Sequence, residues 1–138
     1  MLRSKLTKPA MFSATVAAAI LHFSPSAALA APPAKWQVME KVELGGEGGW
    51  DFLTIDAKSR RLYLPRSTRV MVVDVDTKAV VGEVKDTPGV HGVAVVPKLN
   101  RGFTANGKGS SVTVFDLKTF AAIASVPAGT NPDFTVWL

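Results

Sequence analysis

The sequence contains no cysteine. Disulfide staples, thiolate metal sites and cysteine nucleophiles are therefore excluded, and stability has to come from a packed core. Histidine is almost as scarce, with His22 and His91 the two present. His22 falls in an apolar N-terminal run, so His91 alone cannot build a multi-histidine metal site. Beyond Arg60-Arg61 there is no run of basic residues. The net charge of +5 is unevenly spread: Arg3, Lys5 and Lys8 sit at the N-terminus, and no Asp or Glu occurs before Glu40. The rest carries 13 basic and 11 acidic residues, a small and scattered excess that gives no footprint for nucleic acid. What is abundant is apolar: 47% of the 138 residues, enough for one folded domain and too much for a disordered chain.

The N-terminal segment, 1–30, reads as an address. Met1 to Pro9 is short and basic, and Ala10 to Phe23 is apolar or small apart from Ser13, Thr15 and His22. Ser24-Pro25-Ser26 ends any helix, and Ala28-Leu29-Ala30 supplies the small-x-small site of a signal peptidase. The apolar stretch is about 14 residues where spanning needs roughly 20, so a cleaved signal is expected rather than an anchor. Cleavage is expected after Ala30, export is to the periplasm or beyond, and no membrane span follows.

The remaining chain repeats. Asp74 recurs as Asp116, Thr77 as Thr119 and Val84 as Val126, at one constant offset. Earlier in the repeat, from Arg61 to Arg101, the offset is shorter by two, and the difference falls in Asn106-Gly107-Lys108-Gly109-Ser110. An insertion confined to a loop is what a structural repeat predicts. Each repeat holds four short runs rich in Val, Ile, Phe, Tyr and Thr, separated by turn residues such as Asp56-Ala57-Lys58-Ser59 and Asp86-Thr87-Pro88-Gly89. Short strands at even spacing mean an all-β chain, and four strands per repeat of about 40–45 residues mean β-propeller blades of antiparallel strands. Labelling the strands a to d from the channel outward, residues 31–138 form a partial propeller: a blade at 50–86, a second at 90–128, and the start of a third at 132–138. Residues 36–44 match strand d, with Val42 at the same offset before Val84, and are expected to pair with a last blade and close the ring.

The motifs resemble the YVTN-repeat, YncE-like periplasmic propeller family. The second repeat carries Phe103-Thr104-Ala105-Asn106, then Val112-Thr113-Val114-Phe115-Asp116-Leu117-Lys118-Thr119, then Val126-Pro127-Ala128-Gly129. The first is looser, with Tyr63-Leu64-Pro65-Arg66 at the core of the motif. The resemblance covers residues 36–138 and implies a WD-repeat-like scaffold that closes with about seven blades. Two blades make an incomplete ring with open strand edges and uncovered faces, so a fragment or truncated product is expected.

No catalytic residue set is evident. The two glycine-rich stretches, 45–49 and 106–110, do not join a strand to a helix and are not nucleotide loops. The first is a crossing between repeats, and the second is a hairpin turn in which Asn-Gly is expected to supply positive φ. Asp74 and Asp116 lack the glycine and closing glutamate of a calcium loop and are expected to bond their own turn backbone. No serine lies in a nucleophile elbow, and no metal site or cofactor is assigned. The repeat does bring some residues to one level. Asp51, His91 and Asp133 share the position at the start of strand a, Trp50 precedes Asp51, and Arg66 and Asn106 are equivalent in the b-to-c loop. These six are the candidate ligand-binding rim, suited to a small polar or anionic group or a protein partner. The expected function is an exported binding or interaction scaffold. The alternative is part of a propeller enzyme, a lactonase-like hydrolase or a haem- or quinone-linked oxidoreductase.

Overall fold

The computed structural model describes residues 35–138; the expected signal segment lies outside the described residues. Residues 38–138 form one compact unit, and the elements below belong to it. Among the described residues no helix is long and apolar enough to cross a membrane.

Strands β1 (Thr54–Asp56), β2 (Arg61–Arg66), β3 (Arg69–Asp74) and β4 (Val80–Val84) form one antiparallel sheet in that order. Strands β5 (Val90–Val96), β6 (Arg101–Asn106), β7 (Ser111–Asp116) and β8 (Ala122–Pro127) form a second, with a 3-10 turn at Pro97–Leu99 between β5 and β6. The repeat spacing survives in three dimensions. Arg61 pairs with Asp74 across β2 and β3, and Arg101 pairs with Asp116 across β6 and β7. Each sheet shifts register once beside its outer strand, at Val72/Val73 and at Val114/Phe115, which are equivalent positions of the two repeats.

The turn after the third strand is built from one aspartate in each repeat, as expected. Asp74 Oδ1 accepts the N–H groups of Asp76 (3.0 Å) and Thr77 (2.9 Å), and Asp116 Oδ1 accepts those of Lys118 (2.8 Å) and Thr119 (3.0 Å). The second oxygen of each carboxylate faces the cross-strand arginine, Arg61 or Arg101. The Thr77 N–H, together with the Arg61 guanidinium, holds the Asp74 carboxyl down to about 2. The Thr119 and Lys118 N–H groups lower that of Asp116.

Period-two alternation sorts the side chains to two faces of each sheet. Tyr63, Val70, Val72 and Val84 of the first sheet meet Val90, Val93 and Phe115 of the second in one buried cluster. The Tyr63 and Phe115 rings lie 6.1 Å apart at 49°, and burial pushes the Tyr63 phenol up to about 12. Thr54 Oγ1 ties the two sheets by donating to the Val93 carbonyl at 2.6 Å. The far face of the first sheet carries a second cluster, Leu64, Met71 and Val73, with Leu44 and Leu62 packed on it.

Four sequence expectations are altered. The innermost strand of the first repeat, expected from Trp50, begins only at Thr54. Its ladder stops at Thr54↔Tyr63, just short of Pro65, whose missing N–H cannot support further pairing. The equivalent β5 runs on to Val90↔Asn106, because Ala105 stands where Pro65 does. Residues 36–44, expected as an outer strand, form no ladder. Such a strand bonds to the third strand of a blade, and β3 and β7 already carry β4 and β8. Residues 132–138 likewise form no strand. Instead Phe134 meets Phe52 edge to face (5.6 Å), and Trp137 stacks on Phe103 (6.3 Å, 11°). Finally, neither Asn106 nor Gly107 takes positive φ; Ser110 does, at 45°, closing the turn over 107–110.

Candidate functional site

The six rim residues separate into two groups. Asp51, His91 and Asp133, from three successive repeats, come together. His91 Nδ1 lies 2.7 Å from Asp51 Oδ2 and 3.6 Å from Asp133 Oδ1. Asp51 is oriented by its own backbone, since its Oδ1 accepts the Phe52 N–H at 2.9 Å. The other imidazole nitrogen points toward the loop after β6: a Cβ placed on Gly107 would sit 2.5 Å from both His91 Nε2 and Asn131 Oδ1. A side chain at 107 would therefore have to displace His91 or Asn131, a constraint of close approach rather than of φ. Among the described residues no group of three His, Asp or Glu side chains converges on one metal position. The arrangement is a row, with an imidazole held between two carboxylates.

A shallow pocket of about 150 Å3 opens beside this row, lined by Trp50, Asp51, Ser67, His91 and Lys108 with the backbone of residues 49, 89 and 90. Trp50 is 76% exposed and offers its ring to solvent at the pocket edge. Lys108 adds a basic side chain to the lining beside Asp51. Ser67 Oγ accepts the Gly49 N–H at 3.1 Å, which fixes it as part of the wall.

Arg66 and Asn106 do other work. The Arg66 guanidinium is sunk in the glycine-rich crossing, donating to the carbonyls of Gly48 (3.0 Å), Gly46 (2.8 Å), Glu47 (3.2 Å) and Gly45 (3.3 Å). Its planar fork of donors suits such a ring of carbonyls, and it shapes the loop that carries Trp50 and Asp51. Asn106 is fully buried. Its Oδ1 accepts from Thr104 Oγ1 (2.7 Å), and its Nδ2 donates to Thr113 Oγ1 (2.8 Å) and Ser111 Oγ (3.2 Å). It pins the β6–β7 turn from below and has no face on the rim.

Ser67, Lys108 and Asn131 were not singled out by sequence. The equivalence of loops 66–68 and 106–110 was the available signal, since both flank the start of strand a. A larger groove of about 900 Å3 separates the two sheets nearby, with Arg69, Glu83, Lys85, Asp86, Thr87 and Ser110 in its wall. Arg69 Nε and Glu83 already pair there at 2.9 Å, and Thr87 Oγ1 is buried without a partner.

Two consecutive four-stranded antiparallel sheets, joined through one core and repeating in step with the sequence, are blades of a β-propeller, and the ring they belong to is incomplete. No known family profile and no curated protein matches the chain. Solved structures do. The chain is similar to Kuenenia stuttgartiensis hydrazine synthase (21% identity, TM-score 0.62, 73% of this chain and 29% of that one). It is similar to AztD from Citrobacter koseri (15%, 0.53, 61% and 25%) and to the β-propeller domain of Myceliophteria thermophila Cps50 (Swd1) (17%, 0.52, 59% and 26%). These likenesses establish the fold, and this chain spans between a quarter and a third of each of those chains.

Proposed function

We propose that the chain is an exported binding scaffold of the YVTN-repeat type, whose ligand site is the Asp51–His91–Asp133 row and the pocket beside it. The observation that carries this reading is the 2.7 Å contact of His91 with Asp51, with Asp133 at 3.6 Å on the same imidazole nitrogen. Three repeats place titratable groups at one level of a propeller, where loops from successive blades converge. Export is supported by the basic, apolar and small-residue layout of residues 1–30. A binding role is favoured over a hydrolytic one because His91 Nδ1 engages Asp51, while Ser67, the hydroxyl in this pocket, is held in the wall by the Gly49 N–H rather than against a base. The ligand chemistry is small and polar, with a hydrogen-bonding group for His91 and an anionic one for Lys108, and Trp50 as an apolar lid.

The test is calorimetric titration of the purified chain against small carboxylates, using H91A and K108A, with R66K as a probe of loop shape. H91A and K108A are expected to weaken binding at least tenfold, about 1.4 kcal/mol, while leaving thermal stability within about 0.5 kcal/mol, as for surface substitutions. Equal affinity in all variants would remove the rim from consideration.

A further inference from the structure

A cavity of about 510 Å3 lies between the two blades, at the end opposite the rim. Strand β2 runs from Arg61, in the wall of this cavity, to Arg66 beside the rim. The rest of the lining comes from the turns after β1 and β7, the 3-10 turn after β5, and β4. The volume falls in the range of small-molecule sites, about 300–1,000 Å3. Val81, Pro97, Leu117 and Phe120 supply its apolar surface. The Phe120 ring is seated against Gly82, where a Cβ would fall 2.2 Å from it.

One polar group in this lining is unspent. Tyr63 is 1% exposed, yet its phenol hydrogen-bonds to none of the described residues. Among the described residues, Thr87 Oγ1 is the one unpartnered side-chain oxygen sealed from solvent. The Tyr63 oxygen therefore opens on the cavity that the residue lines. The blade does not need this hydroxyl. Its equivalent in the second repeat is Phe103, which sits opposite Val114 as Tyr63 sits opposite Val72. Burial and the Asp56 carboxylate keep the phenol protonated, so it acts as a donor. The nearby carboxylate does not take that proton. Asp56 Oδ1 accepts the Lys58 N–H (3.0 Å) and Oδ2 accepts from Ser59 Oγ (2.7 Å). Arg61 faces Asp74, and Asn100 Nδ2 donates to Asp116 at 2.6 Å. A buried donor beside an apolar surface is completed by a ligand that brings an acceptor and a ring.

We propose that this cavity is a second ligand site, taking a small neutral molecule with an apolar ring and a carbonyl group. The carbonyl accepts the Tyr63 O–H, and the ring lies among Val81, Pro97, Leu117 and Phe120. The site is at the opposite end of the blades from the Asp51–His91–Asp133 row and is independent of it.

The experiment is an NMR titration of the whole chain, carrying ring-labelled tyrosine, with benzamide. Tyr63 is the single tyrosine of the sequence, so its ring resonances report occupancy directly. They are expected to shift and saturate with a dissociation constant on the order of 1 mM, as suits a ligand of this size. Y63F keeps the ring and removes the donor. Ligand-detected titration of Y63F is expected to show benzamide binding weaker by about tenfold or more, with the melting temperature near that of the unaltered chain. H91A is expected to leave the Tyr63 shift intact, which separates this site from the rim. If Y63F fails to fold, V81R gives the same reading: it sends a long side chain into the lining from an exposed strand position and is expected to abolish the shift. Tyr63 resonances that do not move, benzamide binding unchanged in Y63F, a shift unchanged in V81R, or loss of the shift in H91A overturns the proposal.

Discussion

At the scale of single residues, polar side chains in this protein are mostly structural. Asn106 is the clearest instance. Replacing it with alanine takes the acceptor from the buried Thr104 O–H, at about 1–3 kcal/mol for an unsatisfied group, while Thr113 Oγ1 keeps the Asp86 carbonyl and Thr104 Oγ1 keeps the Thr113 N–H. Chemical denaturation of N106A is expected to show a loss in that range, with ligand binding changed only through the fold. Asp74 gives a pH signature. Its carboxyl is held to about 2 in the folded chain, below the value of about 3.9 usual for an unfolded aspartate. The unfolded chain therefore binds the proton first, and the stabilisation is present above pH ~4 and lost as pH falls from there toward ~2. Tyr63 works in the opposite sense. Its phenol is raised to about 12 by burial, so its contribution is intact below pH ~10 and lost between ~10 and ~12. Thermal melts of D74N and Y63F across both ranges check this. D74N is expected to flatten the acid limb and Y63F the alkaline one. The sequence revealed that Asp51, His91 and Asp133 share a level, because the repeat spacing alone fixes that. It did not reveal that Arg66 and Asn106 turn inward, because that depends on which carbonyls and hydroxyls surround them after folding.

At the scale of elements, seven of the eight strands follow from alternation and turn residues, and the departures have local causes. Pro65 cut β1 short, and the strand pattern at 36–44 met no free third strand to pair with. Alternation reports which face a residue belongs to but not whether an edge exists for its backbone, so the outer segment was legible as a strand and not as a cover. Packing within a blade can be tested at Gly102. A Cβ there would fall 2.0 Å from the Phe115 ring, which is itself fully buried. G102A is expected to destabilise by about 1–3 kcal/mol through overpacking, and F115A by about 3–5 kcal/mol through the cavity it leaves. In the double variant the methyl at 102 enters the space the ring vacates. Its loss is expected to fall short of the sum, and a double-mutant cycle by denaturation measures the coupling.

At the scale of the whole molecule, blades bury their faces only against neighbours. This chain has one satisfied interface, a far face of the first blade on which Leu44 packs, and a far face of the second blade where Trp137 stacks on Phe103 and Val126 is exposed. Exposed Phe52, Leu53, Ile55, Phe134 and Val136 add to the apolar surface. Such a surface is expected to bind a hydrophobic dye in the native state, and a folded chain that binds none would mean that these side chains are covered.

The pairing of Gly102 with Phe115 in one blade, and of Leu62 with Val73 in the other, bears on how such a chain could be lengthened or shuffled. The second and third strands of a blade share one fixed volume, divided differently in each repeat. A crossover between the repeats placed within a hairpin would set Leu62 against Phe115, or Gly102 against Val73, and leave either a clash or a hole. Exchanges whose breakpoints fall outside that strand pair preserve both divisions. The unit that has to be copied together is therefore at least the hairpin of the second and third strands, and divergence between copies is recorded there as matched changes across the pair rather than as independent drift at single sites.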